Sequence, residues 1–345
     1  MDKSSKNNSV QKILVIQTAF IGDVILATSL LEKLHRHFPT AQIDILLRKG
    51  NEGLLAGHPF VTNVLIWNKK NKYQSLWKLI KEVRSHHYDK VICLQRFGSM
   101  GLLTALSGAN ERIGFDKNPF SWLFTKRVPH QIGKIHEIER NTKLISWFTD
   151  DIVFNPKLYV SPKVGFTPNF PYICIAPTSV WFTKQLPETK WIELIKAIPK
   201  HYYVYLLGAP SDMQACERIL LATNPQMTEN LAGKLSLLQS AALMQSAVLN
   251  FVNDSAPMHL ASAVNAPTCA IFCSTIPDFG FGPLADFSKI VEIKQLLACR
   301  PCGLHGKRTC PQGHFRCGYD IDNNDLLTTL SDAEAYNQMS KSRGS

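Results

Sequence analysis

Polar side chains that could do chemistry follow several apolar runs in this sequence. The run Ile13–Ile16 is followed by Gly22 and Asp23, directly before a segment with helical spacing. A carboxylate at the carboxyl end of a strand can accept a proton from a substrate hydroxyl. It can equally cap the first helical turn, where Asp is favoured, so the position alone leaves both roles open. The loop lacks the G-x-G-x-x-G pattern, which disfavours a nicotinamide dehydrogenase.

A second polar group lies in the stretch Asn250–Val264, between an apolar run and a helical pattern. Asp254 and Ser255 stand at the start of the expected helix, and Pro257 suits its first turn. Free backbone N–H groups and the helix dipole favour an anion there, such as a diphosphate. Simple capping by Asp254 or Ser255 is an equal alternative. His259 would lie in the first turns, where a lone histidine is more often a packing residue than a catalyst.

A third candidate is the loop of residues 177–191, which follows another apolar run. It carries Thr178, Ser179 and Lys184 before the next helical pattern. A lysine there could neutralise a leaving phosphate as a point charge. Most lysines are merely solvated, so Lys184 is a candidate for phosphate binding only because the other two loops also carry polar groups.

Apolar runs and helical spacings alternate along the chain, which predicts parallel sheets covered by helices on both faces. Strands are expected at residues 13–16, 43–47, 64–67, 91–94, 172–176, 203–207, 248–252, 268–272 and 290–293. Helices are expected at residues 24–37, 73–85, 188–198, 211–222, 236–246 and 257–264. The proline-rich residues 156–171 indicate a linker. We therefore expect an N-terminal domain of residues 1–155, a C-terminal domain of residues 172–322, and a helix with a polar tail over residues 323–345.

Length and composition limit the function classes. A chain of 345 residues with 45% hydrophobic content favours two domains over one. No apolar stretch approaches the roughly 20 residues that span a bilayer, and the polar first twelve residues lack a signal core, which predicts cytoplasmic residence. Basic residues exceed acidic ones by 38 − 27 = 11, which favours anionic partners. Nucleic acid ranks last among them, because aromatic residues are not interleaved with a basic stripe.

The nine cysteines form two groups. Five are scattered through expected strands and helices, as small buried hydrophobes: Cys93, Cys174, Cys216, Cys269 and Cys273. Four lie near the C terminus beside two histidines: Cys299, Cys302, Cys310 and Cys317, with His305 and His314. A C-x-x-C pair with further Cys and His allows a structural zinc, but six residues separate the last two cysteines, more than is usual. Free thiols or a disulfide are therefore favoured over zinc.

Six ordered segments carry a family resemblance. They are IGDVILATSLLEKL from residue 21, HEIERNTKLI (136–145), APTSVWFTKQLPETKW from residue 176, LLGAPSD (206–212), NLAGKLSLLQSAALMQSA (230–247) and NDSAPMHLASAVNAPTCAIF (253–272). Together they resemble glycosyltransferase family 9, the ADP-heptose:lipopolysaccharide heptosyltransferases. The resemblance covers approximately residues 12–320.

This resemblance implies a GT-B fold, an α/β architecture of two facing Rossmann-like domains with mainly parallel sheets. It implies an inverting transferase that moves a heptose from ADP-heptose to the inner core of lipopolysaccharide, with the acceptor on the N-terminal half and the nucleotide on the C-terminal half. Asp23 matches the acidic residue proposed as the family's catalytic base. Lys184 and the helix start would supply positive potential to the diphosphate, so we expect no requirement for a metal or other cofactor.

The resemblance also implies a set of donor-binding residues. Those expected around the phosphates are Thr178, Ser179, Lys184, Ser255, Ala256 and Met258. Asp254 would bind the donor sugar, and His259 the phosphates or the sugar. Asp212 would bind ribose hydroxyls, although it could equally cap the helix that follows it. Ala256 stands where the family often has glycine, and Ser29 where it commonly has proline.

The basic surplus of the N-terminal half would meet the phosphates and sugar-acid carboxylates of the acceptor. Arg48, Arg96 and Arg112 are the candidates, the last two on expected loops, whereas Lys69, Lys70 and Lys72 suit ordinary solvated charges. We expect a monomer that contacts the inner face of the cytoplasmic membrane peripherally and binds no nucleic acid. Two alternatives stay open: a transferase of the same fold with another nucleotide-sugar, or a non-enzymatic binding protein for anionic lipid.

Overall fold

A computed structural model describes residues 11–70, 72–131, 133–160 and 168–343 of the chain. The side chains of Lys72, Lys341 and Arg343 lie outside this description. The expected linker over residues 156–171 is therefore described only in part, because residues 161–167 are outside it. The polar N-terminal residues 1–10 and the last two residues of the expected tail are outside it as well.

The described residues divide into two compact units. The first runs up to Gln131 and takes in Ile138–Pro156; the second takes in the short segment that ends at Glu137 and the chain from Lys157 onward. The expected boundary near residue 155 thus lies close to the observed one. The segment before Glu137 departs from that expectation, because it belongs to the second unit although it lies within the N-terminal half of the sequence.

The first unit is built on a six-stranded sheet in which all strands run parallel. Its strands are β1 (Lys12–Gln17), β2 (Gln42–Arg48), β3 (Val61–Trp67), β4 (Lys90–Cys93), β5 (Glu111–Phe115) and β6 (Lys126–Val128). They lie in the order β3-β2-β1-β4-β5-β6. Its helices are α1 (Ile21–His37), α2 (Lys72–Ser85), α3 (Gly98–Leu106) and α4 (Glu137–Thr142).

The second unit has a sheet of the same size, again with parallel strands only. Its strands are β7 (Tyr172–Ala176), β8 (Tyr203–Leu206), β9 (Thr228–Asn230), β10 (Leu249–Asn253), β11 (Thr268–Phe272) and β12 (Ser288–Glu292). They lie in the order β12-β11-β10-β7-β8-β9. Its helices are α5 (Glu188–Ala197), α6 (Met213–Ala222), α7 (Leu237–Ser246), α8 (Ala256–Ala263), α9 (Arg316–Tyr319) and α10 (Asn323–Arg343).

Both sheets have the same topology. Counted within its own unit, each places the first strand beside the fourth, so the chain order reverses between β1 and β4 in one sheet and between β7 and β10 in the other. The central strands are buried along their length, as in a sheet covered on both faces. The expected doubly wound α/β architecture is thereby confirmed.

The sequence pattern missed the short elements and misplaced several ends. The strands β5, β6 and β9 and the helices α3, α4 and α9 were not expected, because they are short or carry polar residues. Helix α1 begins three residues before the expected start at residue 24, at Ile21. Helix α10 extends to Arg343, so most of the expected polar tail is helical. Its inner face explains this, because Leu326, Leu330 and Ala333 pack into the core of the second unit.

A buried carboxylate ties three parts of the first sheet together. Asp44 on β2 is fully buried and accepts hydrogen bonds from the Tyr88 hydroxyl (2.6 Å), the Asn63 backbone N–H (3.0 Å) and the Gln42 amide (3.1 Å). Burial and the neighbouring Asp44 carboxylate raise the pKa of Tyr88, so its hydroxyl remains a donor. A buried charge costs free energy unless it is hydrogen-bonded, so these donors fix β3 and the start of β4 relative to β2.

Replacing Tyr88 with phenylalanine tests this network. Tyr88→Phe removes one donor to a buried carboxylate, and we expect the free energy of unfolding to fall by about 1.5–3 kcal/mol in urea titration. Tyr73→Phe is the matched control, because Tyr73 is 77% exposed and belongs to the same unit. A Tyr88→Phe protein as stable as the control would contradict the role given to Asp44.

Candidate active site

The second unit brings Lys184 and Asp254 together at one edge of its sheet. Lys184 ends a 3-10 turn, Phe182–Lys184, after β7, and Asp254 follows β10 directly. These two strands are neighbours and parallel, so their carboxyl ends meet at the same edge. The Lys184 Nζ lies 2.7 Å from the Asp254 Oδ2, with 14% and 8% of the side chains exposed. Two residues that the sequence assigned to separate loops thus form a buried ion pair.

The carboxylate of this pair has a further partner on the next strand connection. The Thr275 hydroxyl, which follows β11, donates to the Asp254 Oδ2 at 2.6 Å. The ion pair and this hydrogen bond together satisfy a charge that burial would otherwise penalise. An ammonium group has three N–H donors, so Lys184 can hold Asp254 and still donate to a phosphate oxygen. The expectation that Asp254 binds the donor sugar is untested, but its observed partners are Lys184 and Thr275.

Helix α8 begins directly beside this pair. Ser255 precedes its first residue, Ala256, and the Ser255 hydroxyl donates to the Asn253 carbonyl (3.4 Å), on the strand side of the turn. Ser255 therefore occupies the expected N-cap position of α8, but its side chain makes no capping hydrogen bond. The buried Met258 completes the first turn. A helix N-terminus beside an ammonium group attracts anions through both the dipole and the free N–H groups.

His259 lies in α8 and is only 5% exposed. Burial, followed by the positive surroundings of His136 and Lys184, lowers the pKa of His259 to about 3. The ring is therefore neutral at pH 7. Its Nδ1 is buried and lacks a hydrogen-bond partner among the described residues. Lys184 is one of the charges that lower this pKa. The predicted contact of His259 with the phosphates or the sugar remains untested.

The segment that ends at Glu137 contributes a residue that sequence reasoning did not assign. The His136 ring nitrogen Nε2 lies 3.1 Å from the Gly282 carbonyl oxygen, and the Glu137 N–H donates to the Gly280 carbonyl at 2.8 Å. These contacts hold the segment on the second unit. His136 thereby reaches the surroundings of His259. The signal was available, because His136 begins one of the segments that carry the family resemblance.

The remaining donor candidates lie on the same edge of the second sheet. Thr178 and Ser179 are partly buried between β7 and the turn of Lys184, and the Ser179 carbonyl accepts from the Gln185 amide at 2.6 Å. Asp212 follows β8, and its Oδ2 accepts from the Ala209 N–H at 2.8 Å. Asp212 occupies the N-cap position of α6, as the capping alternative expected, but its side chain caps the 3-10 turn Pro210–Asp212 that leads into this helix rather than the helix itself. The predicted ribose contact of Asp212 remains untested.

In the first unit, Asp23 lies in the first turn of α1. The helix begins at Ile21, so Phe20 is the N-cap residue. The expected position of Asp23 at the N-cap is therefore wrong, because Asp23 is the third residue of the helix. Its carboxylate accepts from the Phe20 N–H at 3.2 Å, which still satisfies one backbone donor at the helix start. The side chain is partly exposed, so it combines a local structural bond with access to solvent.

Two of the expected acceptor cations flank the Asp23 loop. Arg48 ends β2 and Arg96 follows β4, and both are exposed. Strands β2 and β4 lie on either side of β1, so their carboxyl-end residues border the loop that follows β1. Arg112 does not join them. It lies within β5 rather than on a loop, and its guanidinium donates to the Ala109 (2.6 Å) and Leu123 (3.4 Å) carbonyls, which indicates a structural role.

A buried arginine was missed in the first unit. Arg140 in α4 is 2% exposed and donates to the Gln131 carbonyl at 3.0 Å. Burial, together with the charges of Arg96 and Arg140, lowers the pKa of His130 to about 4. Arg96 and Arg140 thus both disfavour the charged form of His130. Arg140 lies in the same resemblance segment as His136, and that segment was its only sequence signal.

All nine cysteines are free thiols, and the five scattered ones are buried as expected. Among the C-terminal four, the Cys299 Sγ lies 3.9 Å from the His314 Nε2, and the Cys302 thiol donates to the Cys299 carbonyl at 3.3 Å. Across the described part of the chain, no three His, Cys, Asp or Glu side chains group closely enough to hold a metal ion. The structural zinc stays a hypothesis without support from the geometry.

Within residues 11–343, apart from the gaps in the description, helices long and apolar enough to cross a bilayer are absent.

Comparison with known proteins adds three findings. A family description, glycosyltransferase family 9 (heptosyltransferase), matches residues 76–311. Lipopolysaccharide heptosyltransferase 3 of Escherichia coli is 28% identical over 281 residues, which cover 74% of this chain and 82% of the relative. The solved structure of E. coli ADP-heptose lipopolysaccharide heptosyltransferase II superposes with a TM-score of 0.79 at 24% identity, covering 95% of this chain and all of the other. The expected GT-B fold is thereby confirmed.

A further solved structure of this fold is described as an iron-containing dodecameric glycosyltransferase, TibC of enterotoxigenic E. coli. Its TM-score is 0.61 at 14% identity, covering 95% of this chain and 77% of the other. A likeness at this identity supports the fold alone.

The buried ion pair gives a stability prediction. Lys184→Met leaves the Asp254 carboxylate buried without its cation, and we expect a loss of about 3–5 kcal/mol in the free energy of unfolding. Adding Asp254→Asn removes the uncompensated charge, so the double variant should recover most of this loss in a double-mutant cycle. Additive effects of the two substitutions would show that the pair is not coupled.

The neutral state of His259 gives a pH prediction. Its pKa is about 3 in the folded chain and about 6.5 when unfolded, so the unfolded state binds the proton first and stability falls as pH drops below 6.5. Between pH 7 and pH 5, protonation of this group in the unfolded state should lower the free energy of unfolding by about 2 kcal/mol. His259→Asn should lose correspondingly less over that range in urea titrations, whereas the exposed His201→Asn should behave like the parent. Equal losses in all three proteins would refute the assignment.

Proposed function

The chain belongs to glycosyltransferase family 9 and is a glycosyltransferase; from this premise we propose that it moves a heptose from ADP-heptose to the inner core of lipopolysaccharide. The observation that carries the proposal is the buried pair of Lys184 and Asp254 beside the start of α8. A held ammonium group and a helix N-terminus on the same sheet edge suit a diphosphate leaving group.

We propose an inverting reaction. Asp23 removes the proton from the acceptor hydroxyl while that oxygen attacks the anomeric carbon of the heptose. The bond between this carbon and the phosphate oxygen breaks, and ADP leaves with the electron pair. Lys184 and the N–H groups at the start of α8 stabilise the charge that develops on the diphosphate. Because these groups supply the positive potential, the proposal requires no divalent metal.

The remaining donor contacts follow from position. Thr178 and Ser179 line the loop that leads to Lys184, Asp212 follows the neighbouring strand β8, and His259 offers a neutral ring. We assign the first two to the phosphates, Asp212 to the ribose, and His259 to the phosphates or the sugar. Ala256 opens α8, and its methyl group sets how closely the helix start can approach the diphosphate.

The acceptor is proposed to bind the first unit as an anionic lipopolysaccharide precursor. Arg48 and Arg96 flank the Asp23 loop and suit its phosphates and carboxylates. Peripheral contact with an anionic membrane fits the outer face of α2, where Tyr73 and Trp77 are 77% and 55% exposed. The exposed Lys78 lies on the same helix. Amphipathic aromatic rings and lysines are typical of such contacts. We propose that a monomer acts there, at the inner face of the cytoplasmic membrane.

A transfer assay tests the proposed function. The protein is incubated with ADP-heptose and a heptose-deficient lipopolysaccharide precursor, with EDTA and then with Mg²⁺, and the product is weighed by mass spectrometry. We expect the acceptor to gain one heptose in both conditions. Transfer only from UDP-, GDP- or CDP-sugars would show that ADP-heptose is not the donor. Transfer only with Mg²⁺ would overturn the metal-free mechanism. Lack of transfer from every donor would favour the non-enzymatic alternative.

Asp23→Asn tests the general base. The amide still offers an oxygen to the Phe20 N–H but cannot take a proton, so we expect kcat to fall about 10²- to 10⁴-fold with unchanged ADP affinity. Asp212→Asn is the matched control, because that carboxylate also accepts from the backbone N–H three residues earlier. It should raise the KM for the donor and largely spare kcat. Near-normal kcat in Asp23→Asn would remove Asp23 as the base.

A further inference from the structure

Thr183, the residue before Lys184, joins two other loops of the second unit. It is 1% exposed, and its hydroxyl oxygen accepts from the Lys307 N–H (2.8 Å) and from the Ser274 hydroxyl (2.9 Å). Its backbone N–H donates to the Lys307 carbonyl (3.1 Å), and its carbonyl accepts from the Ser274 N–H (3.2 Å). Four hydrogen bonds therefore fix the backbone from which the Lys184 side chain leaves.

The loop that provides Lys307 also packs against the lysine itself. Gly306 has φ +74°, and a methyl group added there would lie 2.8 Å from the Lys184 Cγ and 3.1 Å from its Cδ. Real methyl groups do not approach so closely, so this glycine lets the loop backbone lie directly on the alkyl chain of Lys184. The lysine is thus confined along its stem as well as at its ammonium group.

The same loop is anchored to the sheet by Arg300. Its side chain is 11% exposed, and its guanidinium donates to the carbonyls of Cys273 (2.7 Å) and Thr275 (2.8 Å). The Cys302 N–H donates to the Ser274 carbonyl at 2.9 Å. Thr275 is also the residue whose hydroxyl holds Asp254. The loop therefore supports both members of the ion pair.

We propose that the cysteine-bearing loop of residues 299–310 positions Lys184 for the diphosphate, with Thr183 as the positioning residue that transmits its effect. The inference rests on the proposed function, because it gives Lys184 the role of binding the leaving group. A lysine has a flexible stem whose ordering costs conformational entropy when a ligand binds. Thr183 and Gly306 remove that freedom before the nucleotide arrives, so the ammonium group is preorganised for the phosphate.

Thr183→Val and Thr183→Ser separate positioning from folding. Valine keeps the shape and loses the hydroxyl, whereas serine keeps the hydroxyl. We expect Thr183→Val to weaken ADP binding and lower kcat by about 10- to 100-fold, with an unchanged KM for the acceptor. Thr183→Ser should restore both to within about threefold of the parent. Unchanged ADP affinity and kcat in Thr183→Val would overturn the proposal.

Gly306→Ala tests the packing on Lys184 independently. Gly313→Ala is its control, because Gly313 has a similar φ of +72° and open space around an added methyl group. Both substitutions strain the backbone, but only Gly306→Ala should weaken ADP binding, by about tenfold or more. Equal ADP affinities in the two glycine variants would contradict the proposal. This comparison does not depend on Thr183→Val, so it remains decisive if that variant fails to fold.

The probes separate this inference from the proposed function. Binding is measured by calorimetry with ADP, UDP, GDP and CDP, all of which carry the diphosphate group. Preference for another nucleotide would discard ADP-heptose but leave the Thr183 and Gly306 comparisons valid with that nucleotide. Failure of the parent protein to bind any of the four would overturn both proposals.

Discussion

The buried ion pair between Lys184 and Asp254 is the constraint on which the carboxyl edge of the second unit depends. Two charges removed from water must be paired and hydrogen-bonded, or the folded state becomes much less stable. The chain meets this demand with Thr275 on the carboxylate and with the loop around Gly306 on the lysine stem. His259, on the neighbouring helix, is neutral, because burial and then the positive surroundings of His136 and Lys184 lower its pKa. The stability of this edge therefore depends on the same few side chains that we propose to bind the diphosphate.

The two units carry charged side chains at equivalent positions, because their sheets share one topology. Each sheet reverses its strand order between its first and fourth strands, the place where ligands bind in open α/β sheets. In the first unit Asp23 follows β1 and Arg96 follows β4; in the second, the Lys184 turn follows β7 and Asp254 follows β10. The first unit thus carries a carboxylate and a cation at this edge, and the second carries an ion pair and a helix N-terminus; these are the groups to which we assign the proposed sugar transfer.

The sequence was sufficient for the features that depend on local pattern. Apolar runs predicted the central strands, because both faces of each sheet are covered. The positions of Asp23, Lys184 and Asp254 directly after such runs made them candidate site residues. Side-chain partners could not be predicted. The pairing of Lys184 with Asp254 joins residues 70 positions apart, and the support from Thr183 depends on a loop more than 120 residues later. Arg112 was expected on a loop rather than in β5, because this strand carries too few apolar residues to show a strand pattern.

A crystal structure of the protein with ADP would show whether Lys184 and the start of α8 bind the diphosphate. The measured quantity is the distance from the Lys184 Nζ to the nearest diphosphate oxygen, together with the position of the diphosphate relative to the first turn of α8. We expect a charge-assisted hydrogen bond of about 2.8 Å, with Asp254 still within reach of the ammonium group. A diphosphate bound elsewhere on the second unit, with Lys184 in contact with Asp254 alone, would contradict it.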